Sequence, residues 1–519
     1  MSILLVHPPL CKLCEPPAGI ARLGSALRNH GVRSSTLDLN LEGALHLIQG
    51  VRGPSDTWTR RALRKLPQHL ASLRSDSGYE RPARYQSAVR DLNRLLQSAG
   101  EARGAALTLA NYRRPEVSPV NSGDLVRAAE RFEEDPFSPY FSSRLGKVLE
   151  TESPSAVGFS LNYLNQALPV FAMIGFLKKR FPGVKIVLGG GLVTSWVRRP
   201  GWRNPFAGLV DRVFDGPGEA PLLSLFGVPG SGQARGYLPD YEPFPLGDYL
   251  SPGLILPYSA SSGCYWARCL FCPERAEGSG YQPAAPRRVI GDLKDLAAKW
   301  KPALIHLLDN ALSPALLGEL SQNGLEAPWY GFARITEHLA DPDFCLALRK
   351  SGCVMLQLGL ESGDQGVLDG LQKGIELRVA SRALKALKRA GIASYVYLLF
   401  GTPAEGEAEA RRTLEFAVGH SGEIGFLNLA IFNLPAHGEE AGNLSTRAFY
   451  EGDLSLYSAF THPRGWHRDR VRSFVEKEFK RHPAVSPIVK RDPPFFTSNH
   501  APFFARAAVG AAKDLMGRR

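Results

Sequence analysis

Three cysteines fall within nine residues of one segment, Ser262-Gly263-Cys264-Tyr265-Trp266-Ala267-Arg268-Cys269-Leu270-Phe271-Cys272. Four residues separate the first pair and two the second. Three thiolates on one short loop can hold three irons of a cubane [4Fe–4S] cluster and leave the fourth iron open to a substrate or cofactor. A structural zinc ion wants four ligands, and no Cys or His stands between Cys272 and His306, so the site is open by default. A zinc loop short of one ligand and a ferredoxin-type loop with the same spacings are the other readings. The ferredoxin reading needs a fourth cysteine and a small β-rich fold. Cys11, Cys14, Cys345 and Cys353 complete a set of seven. An odd, clustered set in a long chain is no secreted disulfide framework and points to a reducing, cytoplasmic compartment. Cys345 and Cys353 read as core thiols, because free cysteine is among the most buried residue types.

Such a loop needs a scaffold. Short β-branched and aromatic runs at 255–259, 304–308, 329–333, 354–358, 394–400 and 425–432 predict strands, and helical stretches lie between them. Two examples are 342–350, stopped by Gly352, and 377–390, stopped by Gly391. Six β/α units in about 180 residues suit a barrel, complete or partial, with its working face at the strands' C-terminal ends. Upstream, strands at 3–6, 35–39, 156–161, 185–188 and 212–214 alternate with helices at 19–29 and 167–180. That alternation predicts a doubly wound, Rossmann-like parallel sheet. Arg-rich amphipathic stretches such as 59–73 and 85–96 break the pattern and mark an insertion over about 41–150. The expected layout is a first domain over 1–227, a Gly/Pro-rich linker over 228–248, a barrel over 249–440 and a helical, basic extension over 441–519 containing Pro493-Pro494-Phe495-Phe496. At 519 residues the chain is long enough for several such units.

The net charge of +12 invites a polyanion, but its distribution argues otherwise. Residues 52–116 carry 13 basic and 6 acidic side chains and residues 441–519 carry 14 and 7, leaving 35 basic against 37 acidic elsewhere. The barrel region is therefore close to neutral. Arg-rich helices without a recognised nucleic-acid motif are usually solvated faces, so nucleic acid is not expected as a partner. No apolar run approaches the ~18 residues that span a bilayer, so no membrane is expected either.

The three-cysteine loop after the first barrel strand resembles that of the radical S-adenosylmethionine superfamily, whose usual spacing is three residues then two. Further matches cover about residues 250–440. Gly359-Leu360-Glu361-Ser362-Gly363 is similar to the family's fourth-strand Gly-Ile-Glu-Ser-Gly, with Lys373-Gly374 following. Phe400-Gly401-Thr402-Pro403 is similar to its fifth-strand turn. The resemblance implies that Cys264, Cys269 and Cys272 hold a [4Fe–4S] cluster and that Phe271 is the aromatic before the last cysteine. It implies that S-adenosyl-L-methionine lies near Gly359 and Glu361, and that Arg334 at the end of the third strand pairs with its carboxylate. Asp309-Asn310 would end the second strand, where relatives often carry paired acids. Ion-pair or surface roles are the other reading of Arg334 and Asp309.

The first domain resembles the cobalamin-binding domains fused to radical enzymes. The resemblance rests on Pro8-Pro9, Glu15-Pro16-Pro17-Ala18-Gly19, Leu37-Asp38-Leu39-Asn40, Val157-Gly158-Phe159-Ser160, Gly189-Gly190-Gly191 and Asp215-Gly216-Pro217-Gly218-Glu219, in that order. It implies a corrinoid beside Ser160, Gly189, Gly190, Thr194, Gly216 and Glu219, since Gly-rich turns let a large ligand approach the backbone. The axial-histidine pattern Asp-x-His-x-x-Gly of one such family is missing. Asp38-Leu39-Asn40-Leu41-Glu42-Gly43 has its spacing by coincidence, with Asn for His. Cys11-Lys12-Leu13-Cys14 reads first as plain loop cysteines; a redox pair, a metal-ligand pair and a lining of the corrinoid pocket are the alternatives. The resemblance implies a cobalamin-dependent methyltransferase acting on a small-molecule or natural-product substrate, reduced by a donor such as flavodoxin or ferredoxin. The alternative is radical cyclisation or rearrangement without methyl transfer, with or without bound cobalamin.

Overall fold

A computed structural model of the chain describes residues 2–53, 56–229, 237–493 and 500–505. They fall into two compact units. Among the described residues, unit 1 takes those within 2–254, 450–456 and 493, and unit 2 those within 255–449, 457–492 and 500–505. Part of the sequence-predicted linker (230–236) and most of the Pro-Pro-Phe-Phe run lie outside the described residues.

In unit 1, β1 (Ser2–His7), α1 (Ala18–Asn29), β2 (Arg33–Asp38) and α2 (Leu39–Gly50) come first. After a helical stretch follow β3 (Ala156–Ser160), β4 (Lys185–Gly189) and β5 (Arg212–Val213). The strands form one parallel sheet in the order β2-β1-β3-β4-β5. The order reverses direction at β1, which makes a topological switch point at the strands' C-terminal edge. The second strand ends one residue earlier than the sequence suggests. The Asp38 side chain accepts the Leu41 amide at 3.0 Å and starts α2, so Leu39 is already helical. Between α2 and β3, α3 (Thr57–Leu73) and α4 (Pro82–Glu101) bury Ala62, Leu66, Leu70, Val89, Leu92 and Leu96 and turn Arg60, Arg61, Arg64, Arg84 and Arg90 outward.

In unit 2, β6 (Ile255–Tyr258), β7 (Leu304–Leu312), β8 (Trp329–Ala333), β9 (Cys353–Glu361), β10 (Ala393–Phe400) and β11 (Phe426–Ile431) pair in sequence order as one open parallel sheet. This is a partial (β/α)6 barrel. The helix Leu377–Ala390 buries Val379, Ala383, Leu384 and Leu387 at helical spacing, and Gly391 closes it at φ +73°. Two strands outrun their sequence-predicted ends. β7 continues to Leu312, so Asp309 and Asn310 stand inside it rather than at its end, next to a register shift against β8. β9 continues to Glu361, which places the Gly-Leu-Glu segment on the strand itself.

The C-terminal region corrects a second expectation, since it is not only helix and loop. Leu434–Pro435, Thr446–Ala448 and Tyr457–Phe460 form a small antiparallel sheet. Residues 500–505 join the barrel core: Ala501 packs with Ile255, Leu304, Tyr330, Val354, Met355, Tyr395 and Phe426. His500 stacks on Tyr395 with ring centroids 4.6 Å apart, and burial lowers its pKa to about 4. Among the described residues, no helix is long and apolar enough to cross a membrane.

Candidate functional site

The three-cysteine loop leaves unit 2 just after β6, at the C-terminal edge of the sheet. Two devices fix its departure. Ser261–Ser262 pairs antiparallel with Gln282–Pro283, closing the loop's neck. Asp309, buried within β7, accepts the Ala260 amide at 3.0 Å and the Ser261 hydroxyl. Asp309 therefore clamps the strand that carries the cysteines. Gly263 is left-handed at φ +69°, and a Cβ there would lie 2.6 Å from the Gly280 carbonyl oxygen, so the neck has room only for glycine.

The loop's own residues then dock on the segment after β9. Trp266 donates its indole N–H to the Gln372 carbonyl at 3.0 Å, and the Leu270 amide donates to the Leu371 carbonyl at 3.1 Å. Gly374 (φ +64°) makes way for the indole, since a Cβ would stand 2.2 Å from Trp266 Cζ2. Between the first two cysteines Ala267 takes a left-handed φ of +48°. Arg334 is buried and lies over the Trp266 ring, 4.1 Å from its centroid, and its guanidinium donates to the Lys373 carbonyl at 2.5 Å. Arg334 thus ties Trp266 to the Lys373 backbone rather than standing free toward solvent.

Lys373 and Glu361 form an ion pair at 2.7 Å, with Lys373 only 6% exposed. Lys373 Nζ also stands 5.4 Å from the centroid of Phe271. Glu361 takes φ +72°, a conformation a non-glycine residue holds only when its surroundings enforce it. Gly359 leaves the space, because a Cβ would come within 2.7 Å of Glu361 Oε1 and 2.9 Å of Lys373 Nζ. Burial pushes the Cys269 thiol up, and the charges of Lys373 and then Arg334 pull it back toward thiolate. Burial likewise raises Cys272, opposed by the backbone N–H groups of Arg275 and Glu274.

These features fit an iron–sulfur cluster. The donor set is sulfur only, Cys264 and Cys272 are half-buried, and two buried cations stand beside an anionic ligand set. Among the described residues no three His, Cys, Asp or Glu side chains converge as ligands to one ion would. A cubane does not ask for that convergence, since each thiolate binds a different iron.

In unit 1 the sequence-predicted residues gather mostly at the C-terminal edge of the sheet. Ser160 Oγ accepts from Asn162, whose Oδ1 accepts the Gly191 amide at 2.9 Å. Gly190 (φ +113°) runs so close to the β3 loop that a Cβ would meet the Leu161 carbonyl oxygen at 2.4 Å. Thr194 accepts the Gly216 amide at 2.9 Å and donates to the Gly190 carbonyl at 3.0 Å. Small residues thus leave the backbone bare near Gly189 and Gly191, where a Cβ would find nothing nearer than 3.8 Å. That edge leaves room for a ligand to approach the backbone. Glu219 departs from the expectation: it is 2% exposed and ion-paired with Arg22 of α1, an internal contact.

Two sequence features take on a packing role. Asn40 accepts the Cys11 amide at 2.9 Å and donates to the Lys12 carbonyl at 3.3 Å, pinning the loop after β1. Cys11 and Cys14 are both buried. Cys11 Sγ lies 3.1 Å from His7 Nε2, and burial holds its thiol far above the usual range, which suits an unreactive thiol. Sequence reasoning gave no role to Trp266 or Lys373. The available signals were a Trp inside the cysteine loop and the Lys373-Gly374 pair that follows the fourth-strand motif.

Residues 258–417 match the family model of the Radical SAM superfamily. Over 192 residues the chain is 26% identical to the uncharacterised methyltransferase PH0819 of Pyrococcus horikoshii; the match covers 35% of this chain and 40% of that protein. The apo form of OxsB, a cobalamin-dependent S-adenosylmethionine radical enzyme, is similar with a TM-score of 0.50 and 13% identity, over 99% of this chain and 61% of that one. The chain therefore spans less than two thirds of either protein's length. TsrM of Kitasatospora setae, a radical S-adenosylmethionine methyltransferase solved with cobalamin and a [4Fe–4S] cluster, aligns over 86% of this chain and 78% of its own, with a TM-score of 0.49 and 16% identity. The likeness to OxsB is one of fold.

Proposed function

The chain carries a radical SAM domain over residues 258–417, and on that premise we propose that it is a cobalamin-dependent radical S-adenosylmethionine enzyme that methylates a small molecule. The observation that carries the reading is the three-thiol loop, anchored at the C-terminal edge of a six-stranded parallel sheet inside the matched segment. When bound, a cluster would supply the electron for reductive cleavage of S-adenosylmethionine, and a corrinoid would supply the methyl group.

The chain's own residues position these groups. Cys264, Cys269 and Cys272 would hold the cluster, and Lys373 and Arg334 offset the charge of the thiolates. Asp309 fixes the strand that leads into the loop, and Trp266 docks the loop on the post-β9 segment. Gly359, half-buried, makes room for the Glu361 carboxylate, which would offer an acceptor to an adenosylmethionine amino or ribose group. In unit 1, Ser160, Gly189, Gly190, Thr194 and Gly216 form the edge that would receive the corrinoid.

Anaerobically reconstituted protein should retain about four irons and four sulfides per chain. With a low-potential reductant and S-adenosylmethionine it should release 5′-deoxyadenosine, and it should bind cobalamin by optical spectrum and cobalt content. Replacing Cys264, Cys269 and Cys272 by Ala should abolish the cleavage. Cleavage that survives the triple substitution sinks the assignment. Retention of the cluster without any corrinoid, together with 5′-deoxyadenosine and no methylated product, favours a radical rearrangement instead.

A further inference from the structure

The buried ion pair beside the cysteine loop carries more than packing. Lys373 is 6% exposed, yet it lies 12 residues after its partner Glu361 and its Nζ faces the ring of Phe271, the residue directly before Cys272. The polypeptide accepts two local costs to assemble the pair. Glu361 is held at φ +72°, and Gly359 forgoes a side chain that would stand within 3 Å of both charged groups. Arg334 holds the Lys373 carbonyl at 2.5 Å and the Gly374 carbonyl at 3.4 Å, so the backbone beneath the lysine is also fixed. The pair is oriented. Lys373 Nζ stands 5.4 Å from the ring centroid of Phe271, which lies between Cys269 and Cys272, so the cationic end of the pair is the one set against the cysteine loop.

A buried charge is weakly screened, and the reduction potential of an iron–sulfur cluster depends on the charge and solvent exposure around it. We propose that Lys373 is a positioning residue that sets the reduction potential of the cluster held by Cys264, Cys269 and Cys272, as the cationic end of the Lys373–Glu361 pair. The inference rests on the radical reading given above. A fixed cation favours the more negative, reduced cluster, so the lysine raises the potential and Glu361 limits how far.

The two members of the pair must therefore act in opposite directions, which a merely structural role would not produce. The test is an EPR-monitored redox titration of anaerobically reconstituted full-length protein, without S-adenosylmethionine, alongside iron and sulfide content. Lys373→Met should lower the potential, changing the ratio of reduced to oxidised cluster at a fixed potential by about tenfold, about 59 mV for a one-electron couple. Lys373→Arg should restore the wild-type value. Glu361→Gln should raise it, and this arm still reads if the methionine variant fails to fold. Equal potentials in wild type and Lys373→Met, or shifts of one sign in both single variants, overturn the inference while leaving the radical reading intact. A wild-type protein that assembles no cluster overturns that reading and this inference with it.

Discussion

Replacing Gly374 by Ala puts the docking of the cysteine loop to a direct test. The new Cβ would stand 2.2 Å from Trp266 Cζ2 and 2.6 Å from Cη2, against the ~3.5–4 Å of an ordinary carbon contact. The indole must therefore retreat by more than an ångström. Its hydrogen bond to the Gln372 carbonyl, now 3.0 Å long, is then lost, worth about 1 kcal/mol. The Arg334 guanidinium, 4.1 Å from the ring centroid, loses a contact worth roughly 0.5–2 kcal/mol. The left-handed backbone at φ +64° adds about 1–2 kcal/mol for any L-residue. The sum is about 2.5–5 kcal/mol, or roughly 5–20 °C in midpoint at about 2–4 °C per kcal/mol. Gly278 is the internal control, because it lies in the same loop at φ +66° with nothing within 4 Å. Gly278→Ala should show the backbone cost alone, about 1–2 kcal/mol. The assay is thermal unfolding under anaerobic conditions with iron content measured on the same samples. Gly374→Ala should lose both stability and iron, and Gly278→Ala should keep its iron. Equal losses in the two variants would refute the steric argument, because they share the backbone term and differ only in the collision with Trp266.

Other expectations are independent of that one. Burial pushes Glu405 up to about 8 although its carboxylate accepts the Gly401 amide at 2.5 Å and the Trp466 indole N–H at 3.1 Å. Its unfolded value is about 4.3, so the folded chain holds a proton that the unfolded chain has released between about pH 4.3 and 8. Stability should fall across that window by at most about 1.4 kcal/mol per pH unit and then level off. Glu405→Gln should flatten the profile, read by thermal unfolding at pH 6, 7 and 8; parallel profiles would contradict the burial argument. Asp309→Ala removes the acceptor for the Ala260 amide and Ser261 hydroxyl and leaves both donors buried, costing about 2–4 kcal/mol and lowering iron retention. Asp309→Asn keeps one acceptor oxygen and should retain more iron than the alanine variant.

The chemistry was largely legible in the sequence, because it depends on residue types and spacings that are local. Three cysteines within nine residues single out one loop as the candidate cluster site whatever the rest of the chain does. The alternation of strand and helix signals likewise yields two parallel sheets, since hydrophobic period and Gly/Pro punctuation act over a few residues. The ends of elements were less legible. Asp38 ends β2 through one side-chain bond to Leu41, and β7 and β9 run on because pairing with neighbours extends them past their β-branched cores. The tertiary structure alone decided which residues surround the cysteines. Trp266 meets Gln372 across 106 positions, Asp309 reaches back 48 to Ser261, and residues 500–505 pack against strands far upstream. No local pattern encodes such contacts, because they arise when parallel strands bring their C-terminal ends to one edge. The sequence by itself determined that three thiols are presented together. The fold determined that they are presented beside a buried, oriented Lys373–Glu361 pair, where low dielectric gives each charge its reach.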